Sequence, residues 1–110
     1  MARLPREQAV LIVCKALNPF VTFDLLVSTP DGVQPIPGAE DIGIKDLLST
    51  LDMQDKKFGL HVIDSILNSI FDQCKQVGFA VGVGKGDLVS GDFATIGDLA
   101  TRLCTTSVPV

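Results

Sequence analysis

Asp64-Ser65-Ile66-Leu67-Asn68-Ser69-Ile70-Phe71-Asp72-Gln73-Cys74-Lys75 is the stretch whose reading decides the fold. Ile66, Leu67, Ile70, Phe71, Cys74 and Val77 fall at i, i+1, i+4, i+5, i+8 and i+11, one apolar face of a 3.6-residue repeat. The spacing predicts a helix over 64–77. Asp64 or Ser65 can cap its first turn, because each carries a short side-chain oxygen that accepts from the free N–H groups there. Gly78 stands where a left-handed residue would close the helix, and Lys75 suits the negative end of its dipole. A serine at the mouth of such a helix is also a place where backbone N–H groups can hold a phosphate.

Outward from this stretch the same period recurs. Toward the C-terminus, Thr95 followed by Asp98 has the form of a capping box, and Ile96, Leu99, Ala100 and Leu103 give an inner face, so 95–104 is read as a helix. Between them, 78–91 holds five glycines and reads as a loop with one short turn at Asp87–Ser90. Upstream, Ile44, Leu47, Leu48 and Leu51 predict a helix over 41–52, followed by a polar loop from Asp52 to Gly59. Pro5 to Leu17 reads as a first helix, with proline tolerated in the opening turn. Its centre, Ala9 to Cys14, is apolar nearly all round, so a buried strand competes with that helix. Asn18-Pro19 ends the segment. Asp31-Gly32 is a turn signal, yet Pro30, Pro35 and Pro37 favour an irregular connection over a hairpin. The tail from Thr105 is expected to fray.

The expected architecture is therefore all-α, a small helical bundle with long connections in a single domain, 1–110. One hundred and ten residues suffice for one core. Apolar residues are 46% of the chain and charged residues 20%, which is not a disordered composition. Trp and Tyr are absent and the net charge is −4, so stacking platforms and basic surfaces for nucleic acid or anionic lipid are not expected. Cys14, Cys74 and Cys104 are odd in number, far apart and set in apolar runs, matching neither a metal spacing nor a disulfide framework. Reduced thiols in a cytoplasmic protein are the expectation. Arg3, Arg6 and the apolar run do not make a signal peptide, because Glu7 interrupts the basic part and Lys15 ends the run early. No apolar run approaches a membrane span.

Over about residues 60–104 the chain resembles the acyl carrier and peptidyl carrier proteins. Asp64-Ser65-Ile66 is similar to the Asp-Ser-Leu/Ile motif that opens the second helix of that family's four-helix bundle. Phe93-Ala94-Thr95-Ile96-Gly97-Asp98-Leu99-Ala100 looks like the segment that opens its last helix, and the distance from Ser65 to Thr95 fits. The resemblance implies an acyl-carrier-like four-helix bundle with a long first connection carrying an extra helix. It also implies a 4′-phosphopantetheine arm on Ser65, flanked by Asp64 and Ile66, holding an acyl or aminoacyl group as a thioester. The implied partners are a phosphopantetheinyl transferase and acyl-transferring enzymes of fatty-acid, polyketide or related biosynthesis, and the chain itself would catalyse nothing. It departs from the pattern at Val62, where the family usually has glycine, and in the long stretch from Pro19 to Leu60. The second helix offers one further carboxylate, Asp72, beside Lys75. The alternative is an unmodified helical interaction module with no prosthetic group.

Other motifs carry less. His61, four residues before Ser65, suggests a Ser-His pair, but no third partner or oxyanion-hole motif accompanies it. Gly82-Val83-Gly84-Lys85-Gly86 fails as a phosphate loop, since Phe79 stands where the first glycine belongs and Gly86 where Ser or Thr should hold magnesium. Asp41, Asp46, Asp52 and Asp55 lack calcium-loop spacing, and no metal is expected.

Overall fold

The computed structural model describes residues 3–21, 24–44, 56–84 and 93–110, with the side chains of 56–62 outside that set. Its centre is α1 (Arg6–Leu17), the segment whose sequence left helix and strand open. It is a helix, and the reason for its all-round apolarity is its position. α2 (Lys56–Gln76) and α3 (Ile96–Thr106) both pack against it, and it also touches the hairpin strand Gly32–Pro35. Ala9, Val10, Ile12, Val13, Cys14, Ala16 and Leu17 are all buried, on several sides of one rod. Pro5 precedes the helix in extended conformation, and its carbonyl accepts from Ala9 N at 2.9 Å.

The all-α expectation is overturned. Among the described residues there are three α-helices and two small antiparallel sheets, a mix of helix and strand in place of an acyl-carrier-like four-helix bundle. β1 (Leu26–Thr29) and β2 (Gly32–Pro35) form the hairpin that the prolines argued against. Ile36 N donates to Leu25 O at 2.9 Å, so the adjacent Leu26–Pro35 pair is a non-hydrogen-bonded one, and the missing N–H of Pro35 costs the ladder nothing. Pro30 sits in the turn, where a fixed φ is useful. β3 (Phe79–Ala80) pairs with β4 (Val108–Pro109), so the tail expected to fray is tied back beside the end of α2. Ser107 strengthens the tie: its buried hydroxyl accepts from Leu4 N at 3.0 Å and donates to Cys104 O at 2.8 Å. The helix expected at 41–52 falls outside the described residues from 45 onward, as does the turn at 87–90. Two 3₁₀ turns, Asn18–Phe20 and Ala39–Asp41, flank the hairpin segment.

α3 begins as its sequence implied. Thr95 Oγ1 accepts from Asp98 N at 3.2 Å, and the Asp98 carboxylate accepts from Thr95 N at 3.2 Å, completing the capping box. The strap Ile42–Ile44 lies against this start, with Ile96 N donating to Ile42 O and Ile44 N to Ala94 O. Thr95→Ala is expected to lower unfolding free energy by about 1 kcal/mol and Thr95→Ser to restore most of it. Urea denaturation followed by circular dichroism measures both, and an unchanged midpoint in Thr95→Ala would show that the box contributes nothing.

Candidate functional site

Asp64, Ser65 and Ile66 lie on α2, but not where the sequence placed them. The helix starts at Lys56, so Ser65 is nine residues in, roughly two and a half turns from the first residue. A mid-helix residue has its N–H engaged in the helical ladder, so neither Asp64 nor Ser65 caps the helix, and the free N–H groups invoked for a phosphate are not at Ser65. The loop expected at 52–59 is helical from Lys56 onward, and 52–55 lie outside the described residues. Lys56 and Lys57 are good helix formers, and the cost of Gly59 in a helix interior, about 1 kcal/mol, does not stop propagation. The C-terminal end is as expected: Gly78 takes φ 89°, and its N donates to Lys75 O at 3.0 Å.

The two sides of α2 divide sharply. Ile66, Ile70 and Cys74 are fully buried, with Ile63 and Leu67 nearly so. Asp64, Ser65, Asn68, Phe71 and Asp72 are exposed on the other side. Ile66 therefore belongs to the core, and Ser65 beside it is turned to solvent. Phe71 and Val77, expected on the inner face, are exposed too. The buried stripe runs along the i+4 line from Ile66, whereas Phe71 lies at its edge and Val77 falls in the closing turn. Gln73 ties α2 to α1 by donating to Ile12 O at 3.4 Å, and within α2 it donates to Ser69 Oγ at 3.0 Å.

His61 lies one turn before Ser65, its side chain outside the described residues. Of the glycine loop, Gly82, Val83 and Gly84 are described; Gly82 N donates to Thr106 Oγ1 at 3.0 Å, and Val83 is buried. No group of three metal-ligating side chains occurs among the described residues. Burial pushes the thiols of Cys14 and Cys74 up to about 11, with smaller contributions from the Glu40 carboxylate and from Cys104 respectively. Cys104 is also raised, by burial, with Arg6 opposing. Thiols held protonated at neutral pH are poor nucleophiles. No helix of the described residues is long and apolar enough to cross a membrane.

A cleft of about 480 Å³ opens between the start of α1, β2 and the second 3₁₀ turn. At its rim Arg6 pairs with Glu40 at 3.0 Å and donates to the Thr101 hydroxyl, so one guanidinium joins three elements. Both partners are about half exposed, which limits the pair to under ~1 kcal/mol. Gly97 allows the approach, since a Cβ there would stand 3.1 Å from Glu40 O and 3.2 Å from the Arg6 guanidinium.

No protein-family model, curated protein or solved structure matches this chain.

Proposed function

We propose that the chain is a non-catalytic carrier protein, working in the cytoplasm and modified on Ser65 by a 4′-phosphopantetheine arm. The observation that carries this reading is the exposure of Ser65 on a helix whose opposite side, through Ile66 and Ile70, is locked into the core. A transferase needs an accessible hydroxyl on a surface that does not unfold when approached, and the exposure of Ser65 on a core-anchored helix supports that reading. The arm's terminal thiol supplies the chemistry, holding an acyl or aminoacyl group as a thioester. The protein's share is to present the oxygen. Asp64 and Asp72 on the same exposed side suit partner enzymes with basic surfaces. With no free N–H groups at Ser65, the arm's phosphate would be met by water and by the partner. That feature favours the second reading, an unmodified interaction module.

Intact mass after incubation with coenzyme A and a broad-specificity phosphopantetheinyl transferase separates the two. The carrier reading expects one phosphopantetheinyl addition per chain and none in Ser65→Ala. No addition to the wild type, or an equal addition to the variant, overturns it and leaves the interaction module.

A further inference from the structure

β1 and β2 make a sheet of two strands, so each has one side paired and one side open. The register decides which backbone groups face the open side. Val27 and Thr29 face Gln34 and Gly32 as hydrogen-bonded pairs, whereas Leu26 and Ser28 occupy the alternate, non-hydrogen-bonded positions. The N–H and C=O of Leu26 and Ser28 therefore point away from β2, and they bond to no other group among the described residues. The open side of β2 is less complete, because Pro35 has no N–H to offer and α1 touches that strand. β1 carries none of the devices that keep strand edges apart: no charge, no proline and no bulge lies within Leu26–Thr29. Val27 and Ser28 are exposed, Val27 by 42%.

This edge is its own complement. An antiparallel second copy of β1, related by a twofold axis between the two Val27 residues, sets Leu26 of one chain against Ser28 of the other. Both are outward-facing residues, so each such pair exchanges two N–H···O bonds, four in all. Val27 meets its symmetry mate as the central non-hydrogen-bonded pair, where side chains come closest and a β-branched pair is favourable. Moving the axis to Ser28 would set Leu26 against Pro30, which has no N–H, so the axis at Val27 is the one served by strand residues alone. An unrelated strand would have to bring a matching pattern, whereas a second copy carries it already.

We propose that the chain self-associates through β1, the β2–β1 sheet of one copy continuing into β1–β2 of the other across a twofold axis at Val27. So short an interface belongs to the weak class below ~1,200 Å², with a Kd on the order of 0.1 mM. Asp24 and Asp31, both exposed, are the charged residues between 24 and 35, and the twofold brings Asp24 of one copy toward the Asp31 end of the other. Salt screens that repulsion, so association strengthens from ~20 to ~200 mM NaCl. Self-association through β1 does not involve Ser65 and holds whether or not that serine is modified.

Sedimentation equilibrium of the full chain from about 10 μM to about 1 mM, with amide chemical shifts of ¹⁵N-labelled protein over the same range, tests it. The Leu26, Val27 and Ser28 signals are expected to move with concentration while those of α2 stay still. Val27→Lys puts two ammonium groups opposite each other and should raise the Kd at least about tenfold, with the urea midpoint unchanged. Val27→Glu should do the same. An equimolar mixture of the two variants should associate more tightly than either alone, a rescue that neither misfolding nor loss of a sticky surface would mimic. Val33→Lys, at a comparably exposed valine on β2, should leave the Kd unchanged. A chain that stays monomeric throughout, association untouched by Val27→Lys, or a mixture no tighter than its components would overturn the proposal. So would equal loss in Val33→Lys, shifts centred on Phe71, Val77 and Val110, or a monomer whose β1 amides respond only to an added extended peptide.

Discussion

Replacing Ile66 with alanine is expected to cost about 2–5 kcal/mol, enough to unfold much of the population of a marginally stable domain. Ile66 is fully buried and stands between Ile63 and Ile70 on the buried side of α2, the side that packs on α1. Truncation removes three carbon atoms from that contact and leaves a void that helices held on several sides cannot close easily. Ser65→Ala, one residue away, is expected to change stability by no more than about 0.5 kcal/mol, because the side chain faces water and alanine is the better helix former. Urea denaturation of the two variants gives the comparison. A loss below about 1 kcal/mol in Ile66→Ala would remove Ile66 from the core and with it the account of why Ser65 faces outward. The contrast also decides how the carrier test is read: Ser65→Ala is a clean control, whereas Ile66→Ala would abolish modification merely by unfolding the helix.

Where the sequence could be read, the signal was local. Thr95 and Asp98 are three residues apart and satisfy each other's backbone, so the start of α3 follows from chemistry confined to one turn. Gly78 is similar, a residue free to take positive φ at the end of a periodic run. α1 was ambiguous for a physical reason: a helix covered on several sides loses the polar face that gives a 3.6-residue period its contrast. The β3–β4 pair joins residues about thirty positions apart through two backbone pairs, and no periodicity announces so short a ladder. In the hairpin it is the register of the prolines and not their number that matters, since Pro35 falls on a non-hydrogen-bonded position. The exposed hydroxyl of Ser65 was legible from the phase of the apolar stripe. Its place far inside the helix was not, because that depends on how far the helix extends through Lys56 to Ile63, where polar and apolar residues give mixed signals.

Alkaline pH is expected to destabilise the protein steeply between about pH 9 and pH 11. Cys14 and Cys74 are both fully buried, on α1 and α2, and burial holds their thiols protonated until about pH 11. In the unfolded chain the same thiols ionise near pH 9 or slightly below. Below that range both states keep the proton, and stability does not depend on these groups. Above it the unfolded state binds fewer protons than the native state, so each further rise in pH favours unfolding. Two pH units of difference correspond to about 2–3 kcal/mol per thiol, and to roughly 4–6 kcal/mol for the pair once pH passes 11. Tyrosine, the other common source of alkaline unfolding, is absent from the chain, and the Cys104 thiol, which burial also raises, is the remaining cysteine contribution. Urea unfolding at a series of pH values from 7 to 11 should show a plateau and then a fall. The double variant Cys14→Ala/Cys74→Ala should start from a lower plateau, because two small voids replace the sulfur atoms, and then fall far less. If the two pH profiles run parallel, the thiols are not the groups that release the proton, and the core around α1 does not shield them as the geometry requires.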